Sequence, residues 1–222
     1  MLRRNGPICM LVCSVLAAAV LGCGKPEYVP DIRVVQTHRI IDATAEFHDV
    51  YPALALVSGK ESFGLIEPNT AKVAPSVLTK QVEQALLNSF DQAGVFSKLV
   101  TFDPHPDLVL TARINSLHKH YRPQVWTKLP YAGTIATVLD LKTHVSSGEA
   151  DLTVFLLTYR GKLVGTYRGS SSFNERFNTT GEMSPGTRLN QALSEAVQEI
   201  QGQILGDARL GTIAAREFAQ FR

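Results

Sequence analysis

Residues 149–173, EADLTVFLLTYRGKLVGTYRGSSSF, decide the fold class. Leu152, Val154 and Leu156 alternate with Thr153, Phe155 and Leu157, the period-two pattern of a strand. Tyr159-Arg160-Gly161-Lys162 carries turn chemistry, and Leu163 to Phe173 returns rich in β-branched, aromatic and serine residues. The stretch predicts an antiparallel hairpin. Both faces of its first strand are partly apolar, which places that strand in the middle of a sheet. Ser170-Ser171-Ser172 predicts an edge facing solvent.

Working upstream, residues 107–117 alternate as well. Leu108, Leu110, Ala112 and Ile114 point one way, and Val109, Thr111, Arg113 and Asn115 the other. Pro104-His105-Pro106 makes a rigid turn before this strand. Earlier still, Leu78, Val82, Leu86 and Phe90 recur every four residues, with Ala85 and Ala93 in the same stripe. This predicts a helix over Ser76 to Gln92, with Ser76 as N-cap and Gly94 as the C-terminal stop. A strand follows over Val95-Phe96 and Lys98 to Phe102. Ile32 to Val35 is read as a strand start, and Tyr51 to Val57 as a short buried run. Gly59, Gly64 and Pro68 mark loops.

Downstream of the hairpin, Asn174 to Gly186 is a polar loop. Thr187 to Leu205 then forms a second amphipathic helix on Leu189, Leu193, Ala196, Val197, Ile200 and Ile204, ended by Gly206. Leu210 to Phe218 adds a short helix. The pattern predicts an α+β fold: an antiparallel or mixed sheet of about four to five strands, with two amphipathic helices packed on one face.

The N-terminus sets the compartment. Arg3 and Arg4 precede an uncharged apolar stretch from Ile8 to Leu21. Its length, on the order of 14 residues, suits a signal-peptide core and falls short of a membrane span. Val20-Leu21-Gly22-Cys23 closes it and resembles a lipobox, with cleavage between Gly22 and Cys23 and acylation of Cys23. Of the three cysteines, Cys9 and Cys13 lie within the signal, so Cys23 alone would remain. Residues 1–22 are thus read as signal, 23–31 as a tether punctuated by Pro26 and Pro30, and 32–222 as one globular domain. Gly24 is not aspartate, and by resemblance to the sorting rules of enteric bacteria this implies the periplasmic face of the outer membrane rather than that of the inner membrane. Lys and Arg number 22 against 20 Asp and Glu; setting aside Arg3 and Arg4 leaves the rest balanced. No basic face supports a nucleic-acid partner.

Chemistry is sparse. His118 and His120 share one face of a strand, yet no Cys, Asp or Glu stands beside them in the sequence, and a structural zinc site wants four ligands. No metal site is assigned, and the pair is read as exposed histidines at a strand end. No nucleophile elbow, phosphate loop or dinucleotide fingerprint is present, so no catalytic residue and no cofactor is assigned. Asp103, Asp107, Asp140 and Asp151 are read as turn or strand-end residues that bond the backbone.

The stretch from Tyr121 to Leu141 stands apart. It holds Trp126, Leu129, Pro130, Tyr131, Ile135, Val138 and Leu139, and from Trp126 to Leu139 only Lys128 is charged. One reading is a core-packed loop with a short buried helix. The other is an exposed patch, centred on Trp126, Leu129, Tyr131, Ile135 and Leu139, that binds a partner or dips into the membrane interface.

Gln84-Ala-Leu-Leu-Asn-Ser-Phe-Asp-Gln-Ala-Gly-Val-Phe96, followed by Pro106-Asp-Leu-Val-Leu-Thr-Ala112, resembles small envelope lipoproteins of Gram-negative bacteria. These include the auxiliary lipoproteins of ABC-type lipid transporters. Asp151 to Thr158, Gly161-Lys-Leu-Val164 and the closing helix continue the resemblance, which spans about residues 76–205. Fold relatives with the same pattern are secretion-channel lipoproteins, penicillin-binding-protein activators and the lipopolysaccharide-assembly lipoprotein. The insert from Tyr121 to Gly148 departs from that pattern. The resemblance implies a small α+β domain acting as a non-catalytic adaptor in envelope transport or assembly, with the membrane and an envelope protein as partners. A lipid- or peptidoglycan-binding module is the alternative, and an enzyme the third reading.

Overall fold

The hairpin forms as its pattern requires. β5 (His144–Thr158) and β6 (Leu163–Phe177) pair antiparallel around a turn in which Gly161 takes a φ of 78°, a left-handed value open to glycine. The computed structural model describes residues 28–37, 40–53, 63–66, 74–124, 127, 131–139, 141–177 and 186–210. The signal, Gly22, Cys23, Trp126 and Leu129 lie outside the described residues.

The remaining elements are β1 (Ile41–Pro52), β2 (Phe63–Ile66), α1 (Pro75–Ala93), β3 (Phe96–Val100), β4 (Leu108–Pro123), α2 (Ala132–Val138) and α3 (Thr187–Gly206). The fold is α+β, with a mixed sheet in the order β3-β1-β4-β5-β6 and β2 paired to β4 beyond β1. β1 runs parallel to both β3 and β4, and β5 runs antiparallel to β4 and β6. β5 is therefore interior, as its two partly apolar faces predict.

α1 and α3 cover one face. Their stripes, Leu78, Val82, Leu86 and Phe90 from α1 and Leu189, Leu193, Ala196, Val197, Ile200 and Ile204 from α3, are fully or almost fully buried. They meet Leu108, Leu110, Ala112 and Ile114 of β4 and Leu152, Val154 and Leu156 of β5. Between the helices, Gln201 Nε2 donates to Ser89 Oγ at 3.2 Å, satisfying a buried amide.

Several expectations change. Ser76 is not the N-cap: Ala74 is, with Pro75 as the first helical residue, because proline's fixed φ and missing N–H suit that position. Gly94 does end α1, at φ 66°. Ile32–Val35 is not a strand. Residues 28–33 instead run along α3, whose side chains replace a strand partner: Arg33 N donates to Ser194 Oγ at 2.8 Å and Gln198 Nε2 to Arg33 O at 3.1 Å, before Thr37 bonds Ala93 O at the end of α1. Tyr28 is already buried, its hydroxyl donating to Asn190 Oδ1 at 2.7 Å, so the packed domain starts within the segment expected to be tether. Tyr51 is exposed rather than buried, and residues 54–57 of that run lie outside the described ones.

β6 is an edge strand, but water does not claim all of its outer side. Gln203 accepts from Arg168 N at 3.2 Å and donates to Arg168 O at 2.8 Å; Glu199 accepts from Ser170 N, and Glu195 from Ser171 Oγ. These α3 side chains occupy the hydrogen-bonding positions another strand would take, which blunts edge-to-edge association.

Candidate functional site

The face of the sheet opposite the helices carries a cleft whose origin is a β-bulge. Ile114 pairs with Leu152 and Ser116 with Asp151, so Asn115 has no partner in the ladder. The extra residue reverses the alternation. Beyond it Leu117 turns to the core, while Ser116, His118 and His120 join the open face. Unbroken alternation from Ile114 would have aimed both histidines at the helices.

Asn115 ties β4 to β5. Its Nδ2 donates to Asp151 Oδ1 at 2.9 Å and to Thr153 Oγ1 at 2.8 Å, and its Oδ1 accepts from Arg113 Nε at 2.9 Å. Arg168 on β6 grips the same carboxylate in bidentate fashion, Nε to Oδ1 at 3.0 Å and Nη2 to Oδ2 at 2.5 Å. Arg113 also stands 5.5 Å from the Phe155 ring centroid. Asn115, Asp151 and Arg168, with Ser116, His118, His120 and Glu149, line an open cleft of about 460 Å³.

Asp151 is not the strand-end residue expected from the sequence. It lies mid-strand, with a side chain 6% exposed against 67% for Arg168. Burial by itself raises its pKa, but the hydrogen bonds from Arg168 and Asn115 and the nearby arginine charges outweigh burial and hold the carboxyl below its ordinary value. A carboxyl lowered in the folded state stabilises above the unfolded pKa of about 4 and loses that contribution as pH falls through the lower folded value. Asp151→Asn is therefore expected to lower the melting temperature at pH 7, and the gap to the parent protein to narrow on acidification to pH 3. A gap independent of pH would show that the ion pair is not its source.

Asp103 and Asp107 do bond backbone amides, of His105 at 2.9 Å and of Thr44 at 2.7 Å, as expected. His118 and His120 do share a face, their rings 5.0 Å apart, but they are partly buried in the cleft rather than free at a strand end. His118 Nδ1 lies 2.9 Å from Ser116 Oγ. That pair holds the atoms of a nucleophile and a base. Around that pair the cleft gathers side-chain hydrogen-bonding groups from β4, β5 and β6. Among the described residues no group of three or more His, Cys, Asp and Glu is placed to hold a metal.

Sequence reasoning did not single out Asn115, Ser116, Glu149 or Arg168. Two consecutive polar residues between Ile114 and Leu117 were the signal for the bulge. Asp151, in an otherwise apolar interior strand, was the signal for a buried partner.

The second site is the insert between β4 and β5. The chain leaves the sheet at Gln124, whose N–H donates to Thr143 O at 2.8 Å, and Thr143 N in turn donates to Phe177 O at 2.9 Å. Within it α2 buries Ala136 but exposes Tyr131 at 83%, Ile135 at 54%, Val138 at 78% and Leu139 at 61%. The buried-helix reading of this insert is thus overturned for the described residues.

No protein-family model matches the chain, and no curated protein matches it. Among solved structures it is similar to a Xanthomonas campestris protein of the family DUF330, at 13% identity and a TM-score of 0.46, over 88% of this chain and 99% of that one. It is also similar to an uncharacterized protein at 13% identity and a TM-score of 0.33, over 84% and 98%. Lipoprotein GNA1162 from Neisseria meningitidis follows at 14% identity and a TM-score of 0.24, over 72% and 99%. The functional reading rests on the chain's own residues. Among the described residues no helix is long and apolar enough to cross a membrane.

Proposed function

We propose that the chain is a lipid-anchored, non-catalytic adaptor at the periplasmic face of the outer membrane, serving envelope transport or assembly. One observation carries the reading: Tyr28 is packed on α3 with only residues 24–27 between it and the lipobox cysteine. An acylated Cys23 would hold the folded domain directly at a bilayer. Three acyl chains, at roughly 0.8 kcal/mol for each buried methylene, make release negligible.

The open face of the sheet supports the adaptor role. It presents Arg113, Glu149, Arg168 and the cleft, a mixed-charge surface of the kind that selects a protein partner by complementarity. The space between sheet and helices is filled by side chains with no exposure, which favours an adaptor over a carrier holding lipid in its interior. The polar cleft favours a second reading, a module for a small polar ligand such as a peptidoglycan fragment.

Two measurements test the proposal. Intact mass of the purified protein is expected to show a chain beginning at acylated Cys23; a free thiol there, or a retained leader, overturns the anchoring. Photo-crosslinkers at Thr111 and Ser170, on either side of the cleft, are expected to capture one envelope protein in cells. Abolition of that capture by added muropeptide would favour the second reading.

A further inference from the structure

We infer that α2 is a second membrane contact, an interfacial wedge entering the same bilayer that holds the acyl chains on Cys23; this rests on the anchored reading above. The argument is one of placement. α3 runs antiparallel to β6: Arg188 near its start meets Glu175, and Gln203 near its end meets Arg168. Tyr28, held by Asn190 in the first turns of α3, therefore sits at the end of the sheet where β6 finishes. There Phe177 pairs with His144 and His144 with Pro123, and from there the 124–143 insert departs and returns. The anchor and the exposed apolar helix emerge from one end of the domain.

Distances make this consequential. The chain from Cys23 to Tyr28 reaches at most about 17 Å. The 16-residue β4 spans roughly 53 Å, so the opposite end of the sheet stands well clear of a bilayer beneath Tyr28. Charge agrees as well. Arg122, Lys142 and Arg176 are exposed where the strands end, suited to anionic headgroups, while Glu175 is paired with Arg188; among the described residues Asp31 is then the exposed acid near Tyr28. Tyr131 adds strain to the picture. It adopts a φ of 65°, rare for an aromatic residue, and holds its ring out from the start of α2. Tyrosine is a favoured residue at the membrane interface, with its ring at headgroup level.

The test uses the full-length lipidated protein in vesicles of phosphatidylethanolamine and phosphatidylglycerol. Acylation consumes the Cys23 thiol, so I135C or V138C offers a single site for an environment-sensitive fluorophore; L163C, exposed at the start of β6 at the far end, is the reference. The labels at 135 and 138 are expected to emit at shorter wavelength and to be quenched several-fold more than the label at 163 by phospholipids spin-labelled on their acyl chains. Equal, weak quenching at both ends in protein whose mass shows the acyl chains overturns the wedge while leaving the anchor intact. A blue shift without lipid quenching overturns it too, because a protein then covers α2. A mass without acyl chains overturns the anchor and the wedge together.

Discussion

Gly169→Ala is expected to destabilise the protein by about 3 kcal/mol or more, because no space exists for the added methyl group. A Cβ built on Gly169 would stand 1.9 Å from Ala196 O, 2.8 Å from Ala196 C and 3.0 Å from Ile200 Cγ1. The first two are backbone atoms of α3, which cannot swing aside as a side-chain tip can. Relief requires the helix to lift from β6. That motion would strip Leu193, Val197 and Ile200 from the core and break the bonds by which Gln203, Glu199 and Glu195 close the sheet edge. For a domain of this size each kcal/mol shifts the melting temperature by roughly 2–4 °C, so a fall on the order of 10 °C is expected. Gly202→Ala serves as the control. Its Cβ meets nothing within 4 Å, and it lies inside α3, where alanine stabilises by about 0.5–1 kcal/mol. Melting curves that place both variants on the same side of the parent protein would refute the close approach at Gly169.

Removing the lipid is expected to have the largest effect on location and almost none on folding. The informative variant carries Cys23→Ser behind an ordinary cleavable secretory signal, since the substitution alone would also block processing of the leader. Three acyl chains contribute tens of kcal/mol to membrane partitioning, against which the few exposed residues of α2 are a minor addition. The variant is expected to move almost wholly from the membrane to the soluble periplasmic fraction. Its melting temperature is expected to match the lipidated form within a degree or two, because the acyl chains sit in the bilayer and not in the core that Tyr28 joins. Firm retention in washed membranes, without acyl chains, would mean that something other than lipid holds the protein.

The helical stripes and the 149–173 hairpin were legible because their periodicities are local. Leu78 to Phe90 and Leu189 to Ile204 repeat at helical spacing, and the hairpin is fixed by one turn. β1 escaped notice for a physical reason. Ala43 and Ala45 are small, weak strand formers, and a register shift between Phe47 and Asp49 interrupts the alternation. The strand exists because β3 and β4 pair with it on both sides, and those contacts are distant in sequence. The cleft was illegible for a similar reason. Asn115, Asp151 and Arg168 lie on three strands, and the bulge at Asn115 selects which residues face outward.

By itself the sequence determined the α+β class, the two core-facing helices and the hairpin, since hydrophobic periodicity and turn chemistry act between near neighbours. The packing of distant segments decided that Asp151 is buried against Arg168 and that Tyr131, Ile135, Val138 and Leu139 are exposed. It alone decided that Tyr28 and α2 share one end of the sheet. An apolar residue has the same letter whether it is covered or bare, and only the packing of distant segments removes it from water.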